Sequence, residues 1–186
     1  MQRNLAEVAA ELDRSRAVVL ANLDGLDQAQ LDRCPEPGRW SAGEAAHHLT
    51  LIERNIVKLL GPLLRAAVAA GLPAARADAD SVLERLDRFR IEERVRRVEA
   101  RESGIPRHGL TRAELIDGLA AARAELRALM EAAAPHDVSG VIHKHPALGD
   151  LNLYEWLLFV AKHELRHASQ IREVRESIGA PAAAEA

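Results

Sequence analysis

The chain has 186 residues, a length typical of one domain and sufficient to bury a core without disulfides or a structural metal. Hydrophobic residues make up 48% and charged residues 28%, a globular balance that excludes wholesale disorder. The formal net charge of -3 offers no basic excess for phosphate groups, so we expect no nucleic-acid partner. Aromatic residues account for only 3%, which leaves the core to aliphatic side chains and favours packed helices.

Three features of the sequence bear on the compartment. The longest run without a charged side chain covers ten residues, Ala66 to Ala75, and is too short to span a bilayer. Residues 1–13 carry acidic side chains and no apolar segment, so we expect no signal peptide. Cys34 is the single cysteine, which excludes an intrachain disulfide. We therefore expect a cytoplasmic protein that has no membrane partner.

Apolar residues recur at helical spacing along the chain and predict four long helices. The first helix is predicted over about residues 4–22. The second begins at Ser41, because Ser41 and Glu44 form a capping-box pattern, in which each side chain bonds the other residue's backbone N–H. Pro62 is predicted to kink or break this second helix, since proline removes an intrahelical hydrogen bond.

The third and fourth helices begin at Thr111 and Asn152, each followed three residues later by a glutamate that completes the capping box. The fourth helix is predicted to end near Gly179. A long connection separates the second and third helices, which favours an all-α four-helix bundle with a crossover. We predict one domain over residues 1–180 and a flexible tail over residues 181–186.

Three histidines fall on the apolar faces of these helices. His163 and His167 are four residues apart and share one face, and His48 lies on the apolar stripe of the second helix. His47 is rotated by about 100° from His48 and is expected to lie outside the site. Buried imidazoles need partners, and one divalent ion would satisfy all three. The pattern therefore predicts zinc, nickel or iron bound by His48, His163 and His167, although each histidine would alternatively be a separate core residue.

The same segment also matches H-E-x-x-H, a zinc metallopeptidase motif in which Glu164 would act as general base. The extended form of that motif requires glycine and histidine where this chain has Gln170 and Glu173. No segment alternates like a strand that could form the edge of a peptidase groove. A metallopeptidase is therefore the weaker alternative.

Two polar residues are candidates to orient the histidines. Glu44 precedes His48 by four residues and would hydrogen-bond it, although the competing capping role is favoured. Gln170 follows His167 by three residues and would bond the histidine or a substrate, or simply lie at the polar rim. Cys34 has no adjacent base in the sequence and is not interpreted as a nucleophile.

Three segments of the chain resemble motifs of the DinB-like superfamily. Residues 40–49 (WSAGEAAHHL) are similar to its W-S-x-x-E-x-x-x-H-L segment, and residues 163–171 (HELRHASQI) to its H-x-x-x-H-x-x-Q-I segment. Residues 145–156 (HPALGDLNLYEW) resemble its H-P-x-x-G-x-L-x-x-x-E-W stretch, with Leu148 at a position that is usually aromatic. The resemblance implies a four-helix bundle and a metal held by three ligands: His48, His163 and His167.

The resemblance also implies a link to metal-dependent thiol transferases, some of which use low-molecular-weight thiols. The leading hypothesis is a metal-dependent transferase or hydrolase with a small-molecule substrate. The metal would bind water or a thiol in its open coordination position and lower the pKa of that group. The alternative is a metal-binding bundle without catalysis, serving as a sensor or an interaction module. Ala-rich flanks on the first and third helices predict a homodimer.

Overall fold

The computed structural model describes residues 2–76, 80–93 and 100–180, and the predicted tail over 181–186 lies outside these ranges. Four helices of 21 to 28 residues form a bundle within the described part of the chain. The helices are α1 (Arg3–Leu23), a short α2 (Gln28–Asp32), α3 (Ala42–Ala69), α4 (Arg112–Ala133) and α5 (Leu153–Ser177). Among the described residues, none of these helices is both long enough and apolar enough to cross a membrane.

Reciprocal side-chain caps begin three of the four long helices, as the sequence predicts. The Ser41 hydroxyl accepts from the N–H of Glu44, and the Glu44 carboxylate accepts from the N–H of Ser41 at 2.8 Å. Thr111 and Asn152 begin α4 and α5 in the same way. These caps fix the residue at which each helix starts, and therefore which side chains face the core.

Helix α3 continues through Pro62 to Ala69, so the predicted break is wrong. Pro62 is exposed, which places its ring on the solvent side of the helix. The backbone carbonyl that loses its hydrogen bond belongs to Lys58, which is also exposed. The tertiary contacts of the buried face of α3 hold the helix together at this point.

A small antiparallel hairpin, which the sequence analysis did not predict, precedes α5. Strand β1 (Ile142–His145) pairs with β2 (Gly149–Asn152), and His145 lies opposite Gly149. The His145 Nδ1 accepts hydrogen bonds from two backbone N–H groups of the turn, at 3.1 and 3.2 Å. Strands of four residues are too short for a periodicity of two to be recognised. The hairpin runs directly into the cap of α5 and so fixes the start of that helix.

The long helices pack in a defined order, in which α5 contacts α1 and α3, and α3 also contacts α4. The predicted crossover joins α3 to α4 and contains short 3-10 turns at Asp87–Phe89, Ile91–Glu93 and Glu102–Gly104. The second turn contacts α5 and the third contacts α3. The crossover therefore wraps the bundle on the side where α3 and α5 meet.

The apolar core has two parts, with a layer of charged side chains between them. One part includes Leu12, Leu60, Leu126 and Leu157. The other includes Val19, Leu49, Leu119 and Ile171. Between these two parts, each long helix contributes one buried charge.

The four charges form a closed ring, which we call the charged layer: Arg16 on α1, Glu53 on α3, Arg123 on α4 and Glu164 on α5. Arg16 bonds the carboxylates of Glu53 and Glu164 at 2.6 and 2.7 Å. Arg123 bonds the same two carboxylates at 2.6 and 2.8 Å. Two cations balance two anions, so the layer is neutral and ties all four long helices together.

Candidate metal centre

The structure brings together the three histidines that the sequence singles out. His48 projects from α3 towards His163 and His167 on α5, and the ring centroids lie 4.5 to 5.3 Å apart. One ring nitrogen from each histidine lies within 4.8 Å of the other two. Nε2 of His163 and Nε2 of His167 are 3.2 Å apart. Three imidazoles from two helices therefore converge on one position.

This spacing fits a first-row divalent ion. Histidine nitrogens lie about 2.0–2.1 Å from zinc, so two nitrogens on a tetrahedral ion are roughly 3.3 Å apart. The pair on α5 already has that separation. The ligand nitrogens of all three histidines lie within 4.8 Å of one another, and three protein ligands would leave coordination positions open.

Hydrogen bonds at the outer nitrogens orient two of the rings. Nδ1 of His48 lies 2.6 Å from the carbonyl oxygen of Gly104, and Nδ1 of His167 lies 2.8 Å from Oε1 of Gln170. Because both partners are acceptors, each Nδ1 donates, and each Nε2 is left with a lone pair directed at the cluster. Metal-ligating histidines typically use this arrangement.

Gln170 therefore hydrogen-bonds His167, which is one of the two roles that the sequence left open. Glu44 does not take the corresponding place at His48, since its carboxylate is bonded within the capping box. The carbonyl of Gly104, in the crossover, occupies that place instead. No sequence motif marks this contact, because the partner is a backbone atom 56 residues away.

The rings lie in an aromatic and largely buried setting. Trp40 packs 4.7 Å from the His48 ring, and Phe159 packs 5.3 Å from the His163 ring. Burial lowers the pKa of His48, and it holds the pKa of His163 well below the usual range, with His167 and His48 adding to the effect. The imidazoles of His48 and His163 are therefore neutral at neutral pH, as metal ligation requires.

Two other candidates lie away from this centre. His47 accepts a hydrogen bond from the backbone N–H of Arg107 at 2.8 Å, and it is not among the converging rings. Cys34 is exposed. Desolvation and the nearby Glu44 carboxylate raise the pKa of the Cys34 thiol, so it is protonated at neutral pH and a poor nucleophile.

Glu164 faces away from the histidines, although it follows His163 directly. Its side chain is 1% exposed and lies in the charged layer, bonded to Arg16, Arg123 and the hydroxyl of Ser15. One residue turns a helix by about 100°, which carries Glu164 away from the face of α5 that bears the histidines. Glu164 is therefore not placed to act as the general base of a metallopeptidase at this site.

The sequence analysis missed the charged layer, but a signal for it exists. Arg16, Glu53, Arg123 and Glu164 each lie three or four residues from buried apolar positions on their own helices. A charged residue at such a position is expected to be buried. Two arginines and two glutamates placed in this way would have predicted a compensated interior network.

A cavity of about 170 Å³ adjoins the histidine centre. Two of its lining residues touch the histidines, since Trp40 packs on His48 and Gln170 bonds His167. The lining contains acidic, basic and uncharged residues. They are Pro35, Glu36, Arg39, Trp40, Gln170, Glu173, Val174 and Ser177. The cavity is therefore of mixed character, and it is linked to the histidine centre through Trp40 and Gln170.

A four-helix bundle with a long crossover and three converging histidines defines a helical protein with a candidate metal centre. The chain belongs to the DinB superfamily, whose family model matches residues 11–171. It is 25% identical over 162 residues to the uncharacterized protein YuaE of Bacillus subtilis (strain 168), covering 84% of this chain and 90% of YuaE. A solved structure, TT2238, described as a four-helix bundle protein, has a similar fold, with a TM-score of 0.60 and 24% identity. That match covers 91% of this chain and 98% of TT2238.

Proposed function

We propose that this protein is a metal-dependent enzyme, of the thiol-transferase or hydrolase type, that acts on a small molecule. The observation that carries the proposal is the convergence of three imidazoles, two of whose neighbours, Trp40 and Gln170, also line a cavity. His48, His163 and His167 would hold a divalent ion, either zinc, nickel or iron. When bound, that ion would supply a Lewis acid that lowers the pKa of a thiol or of water.

The chain's own residues would fix the geometry of that centre. The carbonyl of Gly104 and the side chain of Gln170 hold the ring planes of His48 and His167. Trp40 packs against two of the rings, with centroid distances of 4.7 and 6.3 Å. A preorganised site of this kind strengthens electrostatic interactions with a reacting group.

The cavity beside the centre would receive the substrate. The lining holds a cation at Arg39 and an anion at Glu36. This mixture suits a small zwitterionic molecule that has both carboxylate and amino groups, as many low-molecular-weight thiols do. We place the thiol end of such a molecule next to Trp40 and Gln170, because these residues border both the cavity and the histidines.

The test begins with metal analysis of protein purified without an affinity tag. Metal-loaded protein is then assayed with cysteine, glutathione or coenzyme A as thiol donors to a chromogenic electrophile, and with simple esters and amides for hydrolysis. We expect turnover that requires the metal, is lost in His163→Ala and is retained in His47→Ala. Bound metal without turnover in either assay would contradict an enzyme and support a non-catalytic metal sensor.

A further inference from the structure

A second group of metal-binding side chains lies at the start of α3, separate from the three histidines. Cys34 comes from the loop that joins α2 to α3, Glu44 from the first turn of α3, and His108 from the segment before α4. One ligand atom from each of these side chains lies within 4.8 Å of the other two. We infer that Cys34, Glu44 and His108 form a second divalent-metal site, suited to zinc.

The donor set carries the inference. A thiolate, a carboxylate and an imidazole are the three side-chain donors that zinc uses most in proteins. The Cys34 thiol is protonated without an ion, so binding of the ion would release its proton to solvent. Three separate parts of the chain deliver the three donors, so the group does not arise from sequence neighbours. None of these residues belongs to the histidine centre, and the site does not depend on the proposed function.

The distances are close to those of a coordinated ion. With zinc–sulfur bonds of about 2.3 Å and zinc–oxygen bonds of about 2.1 Å, tetrahedral geometry places sulfur and oxygen roughly 3.6 Å apart. The Cys34 Sγ donates a long hydrogen bond of 3.7 Å to one Glu44 oxygen, and the other Glu44 oxygen lies 3.7 Å from the His108 Nδ1. An ion between the three side chains would replace these two contacts, and one ligand atom of each residue is already within 4.8 Å of the others. Cys34 and His108 are exposed, so rotation of their side chains can close the remaining separation.

The carboxylate of Glu44 is positioned for this role. One of its oxygens accepts from the backbone N–H of Ser41 at 2.8 Å, which anchors the side chain. Ionised carboxylates have about four acceptor sites, so lone pairs remain for an ion. Together with a thiolate, Glu44 also offsets the positive end of the α3 dipole, which would otherwise repel a cation.

Cobalt substitution of the full-length protein tests the inference directly. A thiolate bound to cobalt gives a near-ultraviolet charge-transfer band, and Cys34 is the single cysteine of the chain. We expect the wild-type protein to bind two cobalt ions and to show this band. Cys34→Ser should lose the band and one ion, and His108→Ala should lose one ion.

Two further variants separate this site from the histidine centre. His163→Ala should lose one ion but keep the thiolate band, while His136→Ala, which removes a histidine outside both clusters, should keep both ions and the band. Circular dichroism confirms that each variant retains its helices. The inference is overturned if saturating cobalt gives no thiolate band, or if Cys34→Ser and His108→Ala bind as many ions as the wild-type protein.

Discussion

A single residue, Gly104, connects the crossover to the histidine centre. Its carbonyl accepts the hydrogen bond that orients His48. A Cβ at this position would lie 3.1 Å from Cδ1 of Ile52 and 3.3 Å from Cε1 of His48, closer than ordinary van der Waals contact. A side chain at position 104 would therefore push against Ile52 and the His48 ring.

We predict that Gly104→Ala weakens metal binding by roughly 10-fold or more, the usual effect of disturbing a group that orients a ligand. The helical circular dichroism should be unchanged, because the residue lies outside the long helices. Isothermal titration with zinc measures the affinity. Gly140→Ala is the matched control, since a Cβ there meets nothing within 4 Å. Equal affinities for the two variants would contradict the positioning role of Gly104.

His145 gives a second prediction at the residue scale. Burial, with a smaller contribution from Arg101, lowers its pKa to about 4 from 6.5. The unfolded chain therefore takes up a proton below about pH 6.5 that the folded protein does not, so the free energy of unfolding falls as the pH drops from 6.5 towards 4. The imidazole is only partly buried, so we expect its share of this loss to be on the order of 1 kcal/mol.

The variant His145→Asn isolates this contribution. Asparagine retains an acceptor for the backbone N–H groups of the turn but does not titrate. Urea unfolding at several pH values should therefore show a smaller loss of stability in the variant than in the wild-type protein. Parallel curves between pH 6.5 and 4 would show that His145 is not responsible.

At the scale of helices, caps and apolar stripes together determine where the long elements begin and which face is buried. Ser41, Thr111 and Asn152 were identified from the sequence because a capping box needs only residues three apart. The hairpin and α2 were not, since elements of four or five residues carry too little periodicity. The fold of the bundle is therefore readable from local patterns, whereas its short connecting elements depend on tertiary contacts.

The charged layer allows a sharp prediction for α3. Glu53→Gln removes one of two carboxylates that balance two buried arginines, and breaking a buried ion pair on one side costs roughly 3–5 kcal/mol. We expect a loss of stability of this size in urea unfolding. Glu125→Gln is the control, because Glu125 pairs with Arg54 and its side chain is 46% exposed. This substitution should lower the free energy of unfolding by less than about 1 kcal/mol. Similar losses in both variants would mean that the layer contributes no more than a surface pair.

In the whole molecule, the charged layer and the histidine centre are neighbours along the bundle. They meet at α5, where Glu164 directly follows His163 and is turned about 100° away from it. The histidines were predictable because they share apolar stripes with known spacing. Their partners were not, because the Gly104 carbonyl and the charges on other helices come together only in the folded chain.

The two-part core predicts how the whole protein responds to metal removal. The bundle buries enough aliphatic side chains to remain folded without an ion. Metal that binds only the folded form adds about 2.7 kcal/mol at a hundredfold excess over its dissociation constant. We therefore expect the metal-loaded protein to melt at a higher temperature than the apo protein at about pH 7.5, and this gain to shrink at about pH 5.5, where protons compete for the imidazoles.

Thermal melting with and without a chelator checks this expectation. Equal melting temperatures at the higher pH, with metal confirmed present, would contradict a site within the core. Loss of all helical signal on chelation would contradict a bundle that folds without its ion.

A crystal structure of the metal-loaded protein would show whether His48, His163 and His167 bind one metal ion. Anomalous scattering at the absorption edge of the metal locates each ion. We expect a peak about 2.0–2.1 Å from Nε2 of each of the three histidines if the ion is zinc. Metal-loaded crystals with no anomalous peak among these rings, or with an ion held by His47 in place of His48, would contradict this expectation.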